Sequence, residues 1–216
     1  MIKLLIFDLD GTLADTLPSI QHAMELSMGH FGFRIPTIKE TEAALGSGAR
    51  ELLRRLVPAD VAKDDAKLDE FVAYYNETYG KTYMEADHCY DGMAESVIEL
   101  KRRGYTIAVL SNKQHDYVVN LVNNLFEEGV VSMSQGQTDL PTKPDPTVPL
   151  MMTKQLGFKP SEVAFIGDSD VDVKTGKNSG MTSVACSWGF RSREQLEACE
   201  PDHLIDRPEE LLEIFK

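Results

Sequence analysis

The sequence predicts an α/β fold in which a doubly wound parallel sheet is interrupted by an inserted helical segment. Five short apolar runs read as buried strands, because their hydrophobic residues are continuous rather than alternating. Helical patterns separate these runs, and glycines follow three of the helices where a left-handed residue often ends a helix. Strands that alternate with helices in this way are typical of a sheet covered by helices on both faces.

The predicted elements of this α/β domain follow one another in a regular order. The predicted strands cover residues 3–7, 105–111, 130–136, 162–168 and 182–187. The predicted helices of the same domain cover residues 92–103, 114–127, 146–156, 170–179 and 208–215. The last of these begins with Pro208, a residue that suits the first position of a helix.

One interval of the chain departs from this order. Residues 7 to 105 contain no convincing strand, although a parallel crossover needs only about a dozen residues and its helix. The interval reads as four helices instead, over residues 17–31, 38–45, 49–57 and 64–80. We therefore expect a core domain of residues 1–15 and 84–216 and a helical cap domain of residues 16–83, with flexible joints near residues 12–16 and 83–91.

Composition limits the classes of function. Acidic residues outnumber basic ones by 35 to 22, and the formal net charge is −13. Because there is no long run of lysine or arginine, we expect no nucleic-acid partner. The chain shows neither a signal-peptide pattern nor a membrane-spanning apolar stretch, and its three scattered cysteines lack metal-ligand spacing. We expect a cytoplasmic protein with reduced thiols, a small-molecule partner and a monomeric or homodimeric state.

Polar side chains gather where the predicted strands end. In open α/β sheets this carboxyl edge is where ligands bind. Two aspartates and a threonine follow the first strand, a Ser-Asn pair ends the second, and two aspartates flank the start of the helix after the fourth. A lysine stands in the KPDP segment before another helix. These residues are Asp8, Asp10, Thr12, Ser111, Asn112, Lys143, Asp168 and Asp172.

These residue types indicate phosphoryl transfer at a hard metal ion. Aspartates without histidine or cysteine suit Mg²⁺ rather than Zn²⁺. Asp8 and Asp10 at about 5 Å would repel by roughly 3 kcal/mol at an effective dielectric of about 20, so either a cation has to offset them or one of the two acids must hold a proton. Lys143 offers a positive charge for an anionic oxygen. A carboxylate beside Mg²⁺ and a lysine can act as a nucleophile, which predicts a covalent aspartyl phosphate.

Four segments carry a resemblance to a known family. The segments DLDGTLADT, SNK, KPDP and GDSDVD, in this order around a helical insertion, resemble the haloacid dehalogenase superfamily of phosphatases. Within it the chain is similar to the phosphoglycolate phosphatase-like branch, whose pattern matches through Ile20. The resemblance covers essentially the whole chain. It implies a Rossmann-like core with a helical cap, and Mg²⁺-dependent hydrolysis of a small phosphorylated metabolite, with phosphoglycolate as the leading candidate.

The resemblance also implies a role for each core residue. Asp8 would be the nucleophile and a metal ligand. Asp10 would be the general acid and base, and it would bind the metal through its backbone carbonyl. Asp168 would be a direct metal ligand, and Asp172 would support the metal's waters or Lys143. Lys143 would stabilise the charge of the nucleophile and of the phosphate.

The remaining predicted site residues would contact phosphate or substrate. Ser111, with Asn112 beside it, would hold the transferring phosphoryl group. Thr12 would lie in the same site, at the start of the hairpin by which the cap moves. Arg50, in the cap loop LGSGAR, is a candidate contact for a substrate carboxylate or phosphate, and the alternative is a solvated residue at a helix start.

Several alternatives stay open at the level of the sequence. Trp188 suits packing as well as recognition, and Asp170 suits a helix N-terminal charge as well as contact with a metal-bound water. A β-phosphoglucomutase-like phosphosugar mutase would share the core motifs, as would a pyrophosphatase or nucleotidase of the same family. A non-catalytic regulatory protein on this fold is disfavoured, because such proteins usually lose the residue equivalent to Asp8 or Asp10.

Overall fold

A computed structural model of the chain describes residues 1–85 and 88–216. Six strands form one sheet in these residues. The strands are β1 (Leu4–Phe7), β2 (Thr106–Gln114), β3 (Met133–Gln137), β4 (Val163–Gly167), β5 (Thr182–Cys186) and β6 (His203–Ile205). All neighbouring strands are parallel, and their order is β3-β2-β1-β4-β5-β6. This order is that of a doubly wound sheet, so the predicted fold class is confirmed.

Helices account for most of the remaining elements. In the described residues they are α1 (Leu17–His30), α2 (Ile38–Ala44), α3 (Ala49–Leu56), α4 (Ala59–Ala62), α5 (Asp65–Thr82), α6 (Met93–Arg102), α7 (His115–Leu125), α8 (Thr147–Gln155), α9 (Asp170–Asn178), α10 (Arg193–Glu197) and α11 (Leu211–Ile214). Short 3₁₀ helices cover Pro160–Glu162 and Pro208–Glu210. No helix in this part of the chain is long and apolar enough to span a bilayer.

The structure adds elements that the sequence patterns did not predict. These are the short helices α4 and α10 and the three-residue strand β6, each too brief to establish a hydrophobic period. The predicted helix 208–215 is divided between a 3₁₀ helix and α11. The second strand was predicted to end at residue 111, whereas β2 continues to Gln114.

The centre of the sheet is set by β1. Its four side chains are fully buried, because helices cover both faces of a parallel sheet. Phe7 pairs with Val109 of β2 on one side and with Ile166 of β4 on the other. The chain therefore leaves the middle of the carboxyl edge at Asp8, next to the point where the strand order reverses.

The described chain forms two compact units, Met1–Asp15 with His88–Lys216, and Thr16–Asp87. The first holds the sheet, and the two segments that lead out of it lie side by side, with the Asp15 amide bonded to the His88 carbonyl at 2.9 Å. The second is helical, with α1 packed on α5. Part of the predicted joint at 83–91 lies outside the described residues, and the domain assignment stays a prediction.

Candidate active site

Lys143 lies between two of the predicted aspartates. Its Nζ is 2.8 Å from Asp8 Oδ1 and 2.7 Å from Asp172 Oδ1. All three side chains are buried. Asp8 follows β1, Lys143 precedes α8 with a cis bond to Pro144, and Asp172 lies in the first turn of α9. Three segments far apart in the sequence thus meet at one ammonium group.

Three buried carboxylates form a compact acidic cluster beside this lysine. Oxygens of Asp8, Asp168 and Asp172 all lie within 4.8 Å of one another. Asp8 Oδ1 is buried and receives no hydrogen bond of good geometry, although Lys143 Nζ is close to it. Oxygen-only donors, with more negative charge than the adjacent lysine neutralises, fit a hard divalent cation.

Burial opposes ionisation of these acids. Burial raises the pKa of Asp8 to about 7, with Lys143 opposing the rise and the charges of Asp172 and Asp10 adding to it. Burial and the charges of Asp172 and Asp8 hold the pKa of Asp168 well above its usual value. For Lys143 burial acts against the charged form, but Asp172 and Asp8 outweigh it and raise the pKa. A cation held by the carboxylates would favour their ionised forms.

Hydrogen bonds fix the orientation of Asp168. Its Oδ1 accepts a bond from Thr12 Oγ1 at 3.1 Å, and its Oδ2 accepts one from the Phe190 amide at 2.7 Å. Trp188 donates from Nε1 to the Thr12 carbonyl at 3.1 Å. Its indole N–H thus supports the backbone of the residue whose hydroxyl bonds to Asp168. Gly189 allows the close approach, because a Cβ there would lie 2.3 Å from Asp168 Cβ. In this structure the Thr12 hydroxyl faces Asp168.

Asp172 is held in place by the start of its own helix. Its Oδ2 accepts hydrogen bonds from Ser169 N at 3.1 Å and Ser169 Oγ at 2.5 Å. The bond from Ser169 N and a return bond from the Asp172 amide to Ser169 Oγ at 3.4 Å form a capping box. The other carboxylate oxygen of Asp172 is left to face Lys143. The neighbouring Asp170 pairs instead with Lys174 at 2.6 Å on a more exposed surface, as expected for a helix N-terminal charge.

Asp10 has a lysine of its own. Lys113 Nζ donates to Asp10 Oδ1 at 2.6 Å, and Ser111 Oγ lies 3.5 Å from Asp10 Oδ2. The sequence patterns did not single out Lys113, because the second strand was predicted to end at Ser111. A signal was nevertheless present, since residues i and i+2 of a longer strand project to the same side.

Asn112 points to a different partner. Its Oδ1 accepts a hydrogen bond from the Lys143 amide at 2.9 Å, and its Nδ2 donates to the Lys143 carbonyl at 3.1 Å. Both bonds are buried and join the end of β2 to the loop that carries Lys143. The predicted role of Asn112 in phosphate binding stays a prediction, and the structure adds support of the Lys143 backbone.

Arg50 belongs to the helical unit and is paired within it. Its guanidinium contacts Asp65 at 2.9 Å and also contacts Asp69, both on α5. All three side chains are substantially exposed. A contact of Arg50 with substrate stays a prediction.

The sequence as a whole matches a family that accounts for this geometry. The sequence model of the haloacid dehalogenase-like hydrolases matches residues 5–186. This chain belongs to that family. The match runs from the second residue of β1 to the end of β5 and therefore includes every acidic residue of the cluster.

Individual relatives agree with this assignment. The chain is 29% identical to phosphoglycolate phosphatase 1 of Pseudomonas aeruginosa, over 97% of this chain and 78% of that protein. It is 28% identical to phosphoglycolate phosphatase of Vibrio vulnificus, over 99% and 96%. A crystal structure of a candidate phosphoglycolate phosphatase from Lactobacillus delbrueckii subsp. bulgaricus superposes with a TM-score of 0.92 at 26% identity, covering 99% of this chain and 98% of the other.

These matches confirm the resemblance seen in the four sequence segments. The haloacid dehalogenase superfamily, its phosphoglycolate phosphatase-like branch and the phosphatase class are those that the segments indicated.

Proposed function

We propose that this chain hydrolyses a small phosphomonoester with the help of Mg²⁺, through an aspartyl phosphate formed on Asp8. The observation that carries the proposal is the buried group of Asp8, Lys143 and Asp172, extended by Asp168 into a cluster that fits a divalent cation. Such a concentration of buried charge is unfavourable for folding alone and is typical of active sites.

The metal would be held by oxygen ligands only. In the proposal these ligands are the carboxylates of Asp8 and Asp168 and the backbone carbonyl of Asp10. Asp172 acts indirectly, by holding Lys143 beside the cluster. When bound, Mg²⁺ supplies positive charge that offsets the phosphoryl oxygens. Lys143 adds a second positive charge on the same side of Asp8.

Two aspartates divide the covalent chemistry. An Asp8 oxygen forms a bond to phosphorus while the bond from phosphorus to the ester oxygen breaks, and Asp10 gives that oxygen a proton. Water then attacks the phosphorus, Asp10 takes a proton from it, and the bond to Asp8 breaks to release inorganic phosphate. Ser111 would donate to the phosphoryl oxygens during both steps.

Other predicted residues act around this centre. Asn112 positions Lys143 through its two bonds to the backbone, in addition to its predicted place beside the phosphate. Thr12 orients Asp168 and begins the segment that leads to the helical unit. That unit, as in the resemblance, would serve as a cap domain that excludes water and selects substrate, with Arg50 as a candidate contact.

Phosphoglycolate is the leading candidate for the substrate, since the relatives from Pseudomonas aeruginosa and Vibrio vulnificus are both named phosphoglycolate phosphatases. The test is a free-phosphate assay over phosphoglycolate, pyrophosphate, nucleotides and sugar phosphates, with kcat/KM compared for each. Phosphoglycolate should rank first by at least about tenfold, equivalent to about 1.4 kcal/mol. If pyrophosphate or a nucleotide ranks first, the phosphatase class stands and the substrate assignment is wrong.

The metal and the reaction type need separate tests. Activity should vanish with EDTA and return with Mg²⁺ rather than Zn²⁺, because the donors are all hard oxygens. Isothermal titration of the metal-free protein with Mg²⁺ checks binding without reference to activity. Incubation with glucose 1-phosphate should release phosphate, whereas accumulation of glucose 6-phosphate would identify a mutase.

A further inference from the structure

We propose that Lys113 is a positioning residue for Asp10, holding its carboxylate in the orientation from which it serves both proton-transfer steps. The proposal rests on the role of Asp10 given above. The observation behind it is the 2.6 Å bond from Lys113 Nζ to Asp10 Oδ1.

The course of β2 explains why this lysine reaches Asp10. β2 continues to Gln114, beyond Val109, its last residue paired with β1. The pairing of β2 with β3 is irregular between Leu110 and Gln114, yet residues 111 and 113 face one side of the chain and residue 112 faces another. Ser111 and Lys113 accordingly contact Asp10, while Asn112 contacts the Lys143 backbone.

The pairing differs from the ordinary ion pairs of the molecule in its burial. The Lys113 and Asp10 side chains are 7% and 17% exposed, whereas those of Lys3 and Glu162, paired at a similar distance, are 56% and 24% exposed. Confining a lysine in this way opposes its hydration and removes the rotamer freedom of a long side chain. Such a position needs an explanation beyond surface solubility.

Lys143, which is buried, and Lys113, which is partly buried, therefore serve different aspartates. Lys143 neutralises Asp8 and Asp172, which face the metal cluster. Lys113 fixes Asp10, with the Ser111 hydroxyl near the other carboxylate oxygen. In this division Lys113 exchanges no proton with substrate, and it acts only through the placement of Asp10.

The decisive experiment separates the two chemical steps with p-nitrophenyl phosphate. Its phenolate leaves without much help from an acid, so formation of the phosphoenzyme depends little on Asp10, whereas water attack still needs the base. In rapid mixing, Lys113→Met should keep the burst rate of nitrophenolate within about threefold, and its later steady-state rate should fall by about 10- to 100-fold.

Two comparisons show whether the effect passes through Asp10. Asp10→Asn should give the same pattern of preserved burst and slow steady state. The double variant should be no more than about threefold slower than Asp10→Asn alone, because residues that act as a unit are not additive. Lys3→Met is the matched control, since it removes a lysine from an ion pair of similar length, and its kinetics should equal those of the wild type.

The proposal is overturned if burst and steady-state rates fall together, or if the losses of the two single variants multiply. It is also overturned if Lys113→Met mainly weakens binding of inorganic phosphate, which would make Lys113 a phosphate ligand. Thermal melting checks folding, and Lys113→Gln replaces Lys113→Met if that variant is unfolded. A normal pattern for Lys113→Met beside the slow steady state of Asp10→Asn would contradict the role of Lys113 alone. Absence of any phosphoenzyme in the wild type would contradict the proposed function itself.

Discussion

The carboxyl edge of the sheet and the helical unit use the same kinds of charged side chain in different environments. At the edge, the side chains of Lys143, Asp8 and Asp172 are 2%, 11% and 1% exposed. In the helical unit, Arg50 and Asp65 are 38% and 77% exposed although they form an ion pair. Buried charges lose hydration that the protein must replace, whereas exposed pairs contribute about 0–1 kcal/mol and are easily exchanged.

This contrast explains why chemistry could be assigned to one region and only suggested for the other. A buried cluster constrains each member, so a residue's partners limit what it can do. An exposed arginine with aspartate partners, such as Arg50, is explained equally well by surface pairing and by a second task. Substitutions in the two regions should therefore differ in kind as well as in size.

The largest effect is expected from Asp8→Asn, which removes the proposed nucleophile and keeps the shape of the side chain. We expect kcat to fall by at least about 10³-fold, because the covalent route is lost, with melting temperature nearly unchanged. The measurement is steady-state phosphate release with a matched thermal melt. If the variant keeps more than about a tenth of the wild-type activity, another residue is the nucleophile.

The next largest effect is a loss of stability when the buried lysine at the carboxyl edge of the sheet is replaced. Lys143→Met should lower the free energy of unfolding by about 3–5 kcal/mol in metal-free buffer, because Asp8 and Asp172 lose the cation between them. Denaturant titration measures this loss, and Mg²⁺ should restore part of it. Lys174→Met is the control, because its pair with Asp170 is exposed and is worth at most about 1 kcal/mol. Equal losses in the two variants would remove the contrast between buried and exposed pairs.

In the helical unit, Arg50→Ala should affect substrate choice more than stability. Its ion pairs with Asp65 and Asp69 are exposed, so the unfolding free energy should change by less than about 1 kcal/mol. The ratio of kcat/KM for phosphoglycolate to that for p-nitrophenyl phosphate should fall, since only the former carries a carboxylate. An unchanged ratio would assign Arg50 to the surface of its own unit.

The smallest expected effect is a change in stability at Asp202, which lies outside the acidic cluster. The Ser183 amide and hydroxyl each donate to Asp202 Oδ2 at 2.8 Å and join β5 to the segment before β6. These bonds hold the pKa of Asp202 below its usual value. A depressed pKa stabilises the fold above the pKa of the unfolded chain, about 3.9, and this contribution disappears as the pH falls through the folded value.

Asp202→Asn removes that charge and retains an acceptor oxygen. At pH 7 the variant should be less stable by at most about 1 kcal/mol, given the exposure of the site. The difference between wild type and variant should shrink as the pH is lowered below about 4. Urea titrations from pH 7 to pH 3 measure it, and a difference that grows towards low pH would contradict the assigned sign.

Most of the residues at the carboxyl edge could be predicted from the sequence, because the doubly wound fold brings the carboxyl ends of its parallel strands together. Asp8, Ser111 and Asp168 could be assigned to one edge because each stands at the carboxyl end of a predicted parallel strand. The links between segments could not be predicted in this way. The bonds of Asn112 to the Lys143 backbone depend on the path of the loop that carries Lys143. Lys113 was not predicted as a site residue because β2 continues three residues beyond its apolar run.

The helical unit shows the limit of sequence patterns in another form. Its main helices could be predicted from their apolar faces, whereas α4 was too short to show a helical repeat of apolar residues. The aspartate partners of Arg50 come from a different helix, and exposed pairing leaves no periodic trace. The role of that residue therefore needs kinetics rather than further pattern analysis.

Asp8 is the proposed carrier of the phosphoryl group, and this can be tested directly. Wild-type protein mixed with substrate and Mg²⁺ can be quenched in acid within milliseconds and analysed by peptide mass spectrometry. One phosphoryl group is expected on the peptide containing Asp8; it should be absent in Asp8→Asn and, with p-nitrophenyl phosphate as the substrate, should accumulate in Asp10→Asn. A phosphoryl group on another residue, or turnover without any phosphoenzyme in either protein, would contradict it.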